Sequence, residues 1–396
     1  MTNRLLRPPA GVPMSDRFDL VVVGSGIVGL GAAYAAVRRG LRVVVIDRST
    51  QPVGATVRNF GHLCFTPQSG DALRYGIASR ELWLRLARDA GFWLRQSGTH
   101  VIARHSDEFA LLEASADHLA CGFGEEPVIG LLDAAEMAAA VPIEQRQLVG
   151  GAVLPYDLQT DPRTAAAAIV RHLASLGVEF QMRTSVGRVG TGIVHTSRGT
   201  MRADTIVVAV NHDIDQILPD LAEEHGIVRC SLDMLRVDLR LPRPLAAPLL
   251  TGWSLIRYSA FATLPQATAV RERLHGQRPE LAAIDLNQMY TQLPDGSVLV
   301  GDSHHKAVTP SPFQAEATAD LLLGETSQLF GTPARVLERW QGVYASAPTE
   351  FLVAEPEPGV VALAATTGIG MTTGLGLAET ILSERLGALN LTKGAS

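Results

Sequence analysis

The chain has 396 residues, of which 46% are hydrophobic and 19% are charged. That length and composition predict two or three domains with a large buried core. Lysine and arginine number 34 against 40 aspartates and glutamates, for a net charge of −6, which excludes a globally basic nucleic-acid-binding protein. The three cysteines, Cys64, Cys121 and Cys230, lie far apart. They form neither a disulfide framework nor a CxxC metal site, so we predict no metal site and a cytoplasmic location.

Two N-terminal segments bear on targeting. Residues 1–16 carry basic side chains and three prolines but no apolar core, so we expect a disordered extension rather than a secretory signal, with Met14 as an alternative start. Residues 20–37 carry no charge, but Gly24, Gly26 and Gly29 interrupt them directly after a β-branched run. We therefore predict no membrane-spanning helix.

The segment after the extension has the pattern of a βαβ unit. Phe18–Val23 (FDLVVV) predicts a buried strand, and Ile27–Arg39 predicts an alanine-rich helix that Gly40 ends. Leu41–Ile46 (LRVVVI) predicts a second buried strand. Such a unit joins two parallel strands, and we expect its crossover to be right-handed.

The rest of the first half alternates helices with short strands. A polar loop with glycine and proline covers residues 50–71. Alanine-rich amphipathic patterns predict helices over 73–91, 107–120, 134–141 and 161–176, the last opened by Pro162. Apolar runs and alternation predict strands over 150–155, 178–182, 192–196 and 205–210.

The second half predicts a different kind of domain. From Leu232 to Val300 the pattern favours strands with polar loops. The fold class is therefore α/β, a Rossmann-like part with an inserted α+β domain on a mostly antiparallel sheet. The particular segments are strands over 287–293 and 297–300, a helix over 312–329, a strand over 360–364, a glycine-rich turn over 366–376 and a helix over 377–386.

The sequence Gly24-Ser-Gly26-Ile-Val-Gly29 is a G-x-G-x-x-G fingerprint between the first strand and the first helix. Gly24 permits the tight turn, Gly26 lets a pyrophosphate approach the backbone, and Gly29 lets helix and strand pack closely. The helix N-terminus offers free N–H groups to the phosphates. Asp47 ends the second strand, where a carboxylate can accept hydrogen bonds from ribose hydroxyls. The pattern predicts a dinucleotide site.

The layout of the nucleotide-type elements favours FAD over NAD. Asp204–Asn211 (DTIVVAVN) predicts a strand that ends in a polar turn, and Ala364–Gly374 predicts a second glycine-rich turn before a helix. An NAD-binding domain is usually one contiguous block of sequence. Here the elements lie at the start, middle and end of the chain, as expected for a flavin nucleotide held along its whole length.

On these segments the chain resembles the D-amino-acid-oxidase-like family of FAD-dependent oxidoreductases, which includes glycine oxidase and sarcosine oxidase. Arg58–Gly61 (RNFG) and Val298–His305 (VLVGDSHH) resemble the branch associated with phosphonate catabolism, whereas Gly61–Gln68 differs from that branch. The segments that carry the family resemblance are 24–29 with Asp47 and Arg48, 54–61, 204–211 and 368–374.

The resemblance implies a discontinuous FAD-binding domain of residues 17–80, 150–215 and 350–396, with a substrate domain of residues 81–149 and 216–349. FAD should be non-covalent, because no cysteine follows Cys230 and Arg58 stands where another branch has a histidine. The implied FAD-binding residues are Gly24, Ser25, Gly26, Ile27, Val28, Gly29, Asp47, Arg48, Thr56, Arg58, Asn59, Gly61, His62, Val186, Asn211, Gly368, Gly370, Met371 and Thr372.

The chemistry implied is oxidation of a small amine. A hydride leaves the amine-bearing carbon for the flavin, water hydrolyses the imine, and oxygen or another acceptor takes the electrons. No catalytic triad is needed, only correct placement of the substrate. We expect an aminophosphonate related to 2-aminoethylphosphonate, with an anionic head group. Alternatives are a glycine- or sarcosine-type oxidase, an NAD-dependent dehydrogenase and a non-catalytic FAD-binding subunit. The oligomeric state stays open.

Side chains that could anchor such a substrate or move its proton are few. His304 and His305 are adjacent in a predicted strand and should face opposite ways, so at most one reaches a pocket. Each candidate could instead be a hydrogen-bonded or solvated residue without a role in the site. Arg339 is a further cationic candidate. The catalytic candidates are His62, Gln68, Arg257, His304, Lys306 and Tyr344.

Overall fold

A computed structural model describes residues 17–118 and 128–393 of the chain. The predicted N-terminal extension, Cys121 and the last two residues of the helix predicted over 107–120 lie outside the described residues. The apolar stretch of residues 20–37 is divided between a strand and a helix. No helix in the described ranges is both long and apolar enough to cross a membrane.

The first half of the chain contains most of the predicted elements. The helix predicted over 161–176 is confirmed, with Asp161 accepting from the Arg163 N–H group and Pro162 at its first position. The elements are β1 (Arg17–Val23), α1 (Ile27–Val37), β2 (Val43–Asp47), β3 (His62–Leu63), α2 (Gly70–Ala90), β4 (Leu94–Arg95), β5 (Thr99–Ala103), α3 (Ser106–His118), β6 (Gly130–Asp133), α4 (Ala134–Ala140), β7 (Gly150–Leu154), β8 (Leu158–Thr160), α5 (Pro162–Ser175), β9 (Glu179–Met182), β10 (Val186–Gly190), β11 (Ile193–Thr196) and β12 (Gly199–Val208).

The second half departs from its predicted pattern. The pattern between Leu232 and Val300 predicts strands with polar loops, but four helices lie within that range, where Ala267, Val270 and Leu274 recur on one buried helical face. The elements are α6 (Pro219–Glu224), β13 (Val228–Leu239), β14 (Leu249–Leu250), α7 (Gly252–Leu255), α8 (Ser259–Ala262), α9 (Gln266–Gln277), α10 (Pro279–Ala283), β15 (Met289–Gln292), β16 (Val298–Gly301), β17 (His305–Ala307), α11 (Glu316–Phe330), β18 (Ala334–Glu357), β19 (Val360–Thr367) and α12 (Gly370–Lys393).

One large sheet joins two differently built parts. Strands β19, β12, β1, β2 and β9 form a parallel part, in that order. Strands β15, β16, β13 and β18 form the centre of an antiparallel part. The long strand β18 connects the two, because its first half pairs with β13 and its second half pairs with β19. The mixed fold predicted from the sequence is confirmed.

Helices α1, α2, α5 and α12 contribute to one apolar core with strands of the parallel part. A Cβ on Gly31 would lie 3.1 Å from the Leu375 Cα atom, and a Cβ on Gly376 would overlap the Tyr75 carbonyl oxygen. These glycines therefore serve close helix packing. The turn predicted over 366–376 is shorter than expected, because α12 begins at Gly370.

Two of the predicted domain boundaries fall within continuous elements. The boundary at residue 80 cuts α2, whose Trp83 and Leu86 lie in the core of the parallel part. The boundary at residue 349 cuts β18. We therefore propose that the FAD-binding part continues to the end of α2 and shares β18 with the substrate part. Trp83 is fully buried, whereas Trp93 is only half-buried and lies beyond the end of α2.

Candidate active site

A cavity of about 820 Å³ begins at the N-terminus of α1 and extends to the antiparallel strands β13 and β18. Its volume is at the upper end of the range for small-molecule sites. Residues from the start, middle and end of the chain line it, among them Gly26, Val186 and Gly370. The cavity therefore has the discontinuous lining that the sequence predicts for a long nucleotide cofactor.

The three fingerprint glycines have distinct structural requirements. Gly24 has a φ of +104°, and a Cβ there would lie 2.5 Å from the Ala209 carbonyl oxygen. A Cβ on Gly29 would overlap the Gly24 carbonyl oxygen. A Cβ on Gly26 would meet only the Thr56 hydroxyl, at 3.4 Å. The turn thus leaves open space at Gly26, which lines the cavity, and this is the cradle that a pyrophosphate needs.

Asp47 is held at the cavity wall by the turns around it. One carboxylate oxygen accepts the Ser25 N–H at 2.8 Å and the Ser25 hydroxyl at 2.6 Å, and the other accepts the Ser49 N–H at 2.8 Å. A carboxylate has about four acceptor positions, so one remains for a ribose hydroxyl. Arg48 lies beside it, paired with Asp213 at 2.6 Å.

Most residues implied by the family resemblance line this cavity, and four do not. A Cβ on Gly61 would overlap the Thr160 carbonyl oxygen, and the Thr372 hydroxyl accepts the Cys64 N–H at 3.2 Å. The residues that pack behind the lining rather than in it are therefore Gly29, Gly61, His62 and Thr372. The lining residues are Gly24, Ser25, Gly26, Ile27, Val28, Asp47, Arg48, Thr56, Arg58, Asn59, Val186, Asn211, Gly368, Gly370 and Met371.

His62 is the main correction among the catalytic candidates. Its Nε2 atom lies 2.6 Å from the Thr99 hydroxyl, and its Nδ1 atom lies 3.1 Å from the Met289 sulfur. Thr99 in turn donates to Asp157 at 2.8 Å, and Asp157 accepts two N–H groups of the loop after β3. His62 is thus a buried member of a network that fixes this loop, not a residue that faces the cavity.

The far end of the cavity is lined by ionisable side chains on and around β16, among them Arg257, Asp302 and His304. We call this end the polar chamber. Arg257 donates to the Asp285 carboxylate at 2.6 Å. His304 lies 2.9 Å from the Asp285 carbonyl oxygen through Nδ1, and a carbonyl can only accept, so Nδ1 carries the proton and Nε2 is the free acceptor. Burial, aided by the Arg257 charge, holds the pKa of His304 well below its usual range. His304 is therefore neutral near pH 7.

Three further candidates also line this chamber. Tyr344 packs edge-to-face on His304 with ring centroids 6.4 Å apart, and burial raises its pKa well above the usual range. Gln68 is buried and donates to the Cys64 carbonyl oxygen at 2.9 Å. Lys306 lies at the exposed rim. The structure thus brings Gln68, Arg257, His304, Lys306 and Tyr344 to one cavity.

Two other candidates lie elsewhere. His305 is exposed at the start of β17 and does not line the cavity, consistent with the expectation that only one of the adjacent histidines reaches the pocket. Arg339 is paired with Glu316 on the outer surface. Burial raises the pKa of the Cys64 thiol to about 12, which makes this thiol unreactive.

Asp302 was missed from the sequence. It follows β16, lines the cavity and is 5% exposed, and burial raises its pKa to about 7 against the lowering effects of Arg257 and Asn287. Its Oδ1 atom has no hydrogen-bond partner among the described residues. An acid directly after the apolar run Val298–Gly301 is the sequence signal that could have indicated this residue.

The residues present fit FAD in two respects. The open space at Gly26 and the carboxylate of Asp47 suit a pyrophosphate and an adenosine ribose. The same cavity reaches the start of α12, where Gly370 and Met371 offer the positive end of a helix to the electron-rich end of a flavin.

Comparison with known proteins agrees with this geometry. The sequence profile of the family described as "FAD dependent oxidoreductase" matches residues 19–384. Glycine oxidase of Geobacillus kaustophilus is 26% identical over 212 residues, which are 50% of this chain and 55% of that protein. Mitochondrial dimethylglycine dehydrogenase of Rattus norvegicus is 23% identical over 56% of this chain and 26% of its own length. The matches therefore span about half, or less, of these curated relatives.

Solved structures share the fold over nearly the whole chain. The crystal structure of glycine oxidase from Geobacillus kaustophilus has a TM-score of 0.73 at 20% identity, covering 93% of this chain and 95% of that one. L-proline dehydrogenase from P. horikoshii has a TM-score of 0.74 at 18% identity, with 93% and 94% covered. Iminodiacetate oxidase from Chelativorans sp. BNC1 has a TM-score of 0.71 at 18% identity, with 91% and 93% covered. At these identities the likeness shows a common fold.

Proposed function

The chain belongs to the family of FAD-dependent oxidoreductases, and from that premise we propose that it oxidises the C–N bond of a small amine. The observation that carries this proposal is that one cavity joins the glycine cradle at Gly26 to a polar chamber with Arg257, Asp302 and His304. A cofactor bound along the cavity would meet a small substrate in that chamber. The chemistry needs little from the protein beyond placement of the substrate and of its proton.

FAD, when bound, accepts the hydride that leaves the amine-bearing carbon. The cradle at Gly26, the Asp47 carboxylate and the start of α12 would hold it. We propose non-covalent binding, because the described cysteines, Cys64 and Cys230, are buried free thiols that do not line the cavity. Free thiols also fit the reducing cytoplasm, which we propose as the location.

The substrate we propose is an aminophosphonate related to 2-aminoethylphosphonate. The net charge of −6 opposes an anionic substrate, so attraction must come from local cations. Arg257 and Lys306 both line the chamber, and Lys306 has no carboxylate partner among the described residues. A phosphonate would use both, and an arginine can bind it through two parallel hydrogen bonds. The substrate would lose two electrons and, after addition of water, give a carbonyl compound and ammonia.

A carboxylate substrate is the second candidate. Glycine oxidase, dimethylglycine dehydrogenase and iminodiacetate oxidase are names of relatives and structural neighbours, and each substrate named there is an amino acid or amino diacid. The cations that suit a phosphonate also suit a carboxylate. A glycine- or sarcosine-type oxidation is therefore the alternative that the test below separates.

The test is anaerobic reduction of the purified yellow protein, followed as loss of flavin absorbance. We expect 2-aminoethylphosphonate and its relatives to reduce the flavin faster than glycine or sarcosine, with ethylphosphonate, which has no amine, as the inert control. Faster reduction by sarcosine or glycine would favour the second candidate. A colourless protein that releases no FAD would contradict both, as would a yellow protein that no amine reduces, since the latter fits a cofactor-binding subunit.

A further inference from the structure

Asp302 is a buried carboxylate with an incomplete set of partners at the wall of the substrate chamber. It is 5% exposed, and its Oδ1 atom has no hydrogen-bond partner among the described residues. Its Oδ2 atom lies 3.7 Å from Nε2 of His304, beyond hydrogen-bond distance. Its backbone is fixed, because Asp302 and Asn287 exchange N–H to carbonyl bonds of 2.7 and 2.9 Å.

The Asn287 side chain is a hydrogen-bond partner of this carboxylate, but no cationic side chain among the described residues donates to it. Burial of an unpaired charge is costly, so native proteins pair such groups or bind a ligand there. The Arg257 charge acts on Asp302, but Arg257 donates its hydrogen bonds to Asp285 rather than to Asp302. The titratable side chains that interact with Asp302 are Arg257, Tyr258, Asp285, His304, Tyr344 and Cys230.

We propose that Asp302 binds the ammonium group of the substrate and takes its proton, so that a neutral amine is oxidised. This inference rests on the proposed function and makes it more specific. In the step, an N–H bond of the ammonium breaks, an O–H bond forms on Asp302, and the electron pair stays on nitrogen. Only a neutral amine has the lone pair that assists loss of hydride from the neighbouring carbon.

Asp302 suits this role better than its neighbour His304. An ammonium is attracted to a carboxylate and not to a neutral imidazole, and His304 already uses Nδ1 on the Asp285 carbonyl oxygen. The Arg257 charge further disfavours a proton on His304. His304 Nε2 remains a neutral acceptor next to the same carboxylate and can orient the substrate N–H groups.

The placement of charges also defines the class of substrate. Asp302 provides a negative group in the buried part of the chamber, while Arg257 and Lys306 provide positive groups on its lining. A molecule with an ammonium at one end and a phosphonate or carboxylate at the other complements both. A simple alkylamine would leave Lys306 without an anionic partner among the described residues, and a dianion without an amine would leave Asp302 unmatched.

Asp302→Asn tests the inference, with Asp295→Asn as the matched control. Asp295 lies in the turn at the opposite end of the same hairpin, its side chain is 57% exposed, and it does not line the cavity. Ligand binding to each FAD-loaded protein is measured by calorimetry for two pairs, 2-aminoethylphosphonate with ethylphosphonate and glycine with acetate. The members of each pair differ by the amine.

We expect Asp302→Asn to weaken binding of the amine-bearing members roughly tenfold or more, with the amine-free members changed less than about threefold. Reduction of the flavin should slow roughly 100-fold near pH 7 and recover as pH rises toward the pKa of the free amine. Asp295→Asn should behave as wild type in every measurement.

If the variant lost equal affinity for both members of a pair, the inference would be overturned, because that result indicates a disturbed chamber rather than a lost ammonium contact. An unchanged pH profile of reduction would overturn it too. A protein that no amine reduces, but whose Asp302→Asn variant still loses affinity for amines alone, would contradict the proposed oxidation and support the ammonium site. The two ideas therefore fail separately.

Discussion

The two ends of the cavity are lined by different kinds of residue. In the parallel part, the wall at the cofactor end includes the glycine turn, with open space at Gly26, and the fixed carboxylate of Asp47. In the antiparallel part, the wall includes the ionisable side chains of Arg257, Asp302 and His304. We therefore expect a cofactor to bind at the turn through shape and N–H groups, and a substrate to bind at the other end through charge. The first kind of wall follows a local sequence pattern, whereas the second is assembled from distant segments.

The largest effect we expect is from Gly29→Ala. A Cβ there would overlap the Gly24 carbonyl oxygen, and neither backbone can move without breaking the contact of β1 with α1. We expect a loss of roughly 3 kcal/mol or more in the free energy of unfolding. Denaturant unfolding of the FAD-free protein measures it, and stability equal to wild type would contradict the close packing inferred at this glycine.

Gly26→Val should affect the cofactor and leave the fold intact. The Gly26 backbone has a φ of −70°, which any residue adopts, and a Cβ would contact only Thr56. The side chain would instead occupy the cradle, so FAD affinity should fall on the order of 100-fold. FAD retained after gel filtration, together with FAD-free unfolding, gives the result. Retained FAD in a folded variant would show that the pyrophosphate lies elsewhere.

Asp302→Asn should stabilise the ligand-free protein in a pH-dependent way. The carboxyl pKa of about 7 in the folded protein exceeds the usual value near 4 of the unfolded chain. Below pH 4 the group is protonated in both states, so the variant gains nothing. As pH rises from 4 to 7 the unfolded state loses its proton first, and wild-type stability falls.

The free energy of unfolding of the variant should therefore exceed that of wild type by on the order of 2 kcal/mol at pH 8, after allowance for the burial of its amide. Unfolding curves of wild type and variant at pH 4 and pH 8 measure the gain. A constant difference between the two pH values would show that Asp302 does not carry the raised pKa.

The smallest effects separate the two cations of the chamber. The Arg257 side chain is 24% exposed, so Arg257→Ala should weaken ethylphosphonate binding roughly 30-fold. Lys306 is exposed, and Lys306→Ala should weaken ethylphosphonate binding only about threefold. The outer-surface variant Arg339→Ala is the control. Calorimetric titration gives all three, and a larger loss at Lys306 than at Arg257 would place the anion at the rim of the cavity.

Local patterns predicted the elements whose residues are close together in sequence. The runs FDLVVV and LRVVVI became β1 and β2 because fully buried parallel strands need continuous apolar stretches. The helix after Asp161 was predictable from its cap and from Pro162. The glycine turn before α1 also followed, because its three glycines and Asp47 lie within one βαβ unit.

Contacts between distant segments decided what the sequence did not predict. The direction of His62 depends on Thr99 and Met289, which lie 37 and 227 residues away along the chain. Gly376 follows a glycine-rich pattern like that of a cofactor loop, but its closeness to the Tyr75 carbonyl oxygen makes it a helix-packing residue. The pKa of Asp302 is raised by burial against the effects of Arg257 and Asn287, which no local motif connects to it.

The central claim is that the amine-bearing carbon of a substrate in the polar chamber gives its hydrogen to FAD. Stopped-flow reduction by 2-aminoethylphosphonate, deuterated either at the amine-bearing carbon or at the phosphorus-bearing carbon, tests it most directly. We predict slower flavin reduction only with deuterium at the amine-bearing carbon. Equal rates for both labelled substrates and the unlabelled one, or no reduction by any of them, would contradict the account.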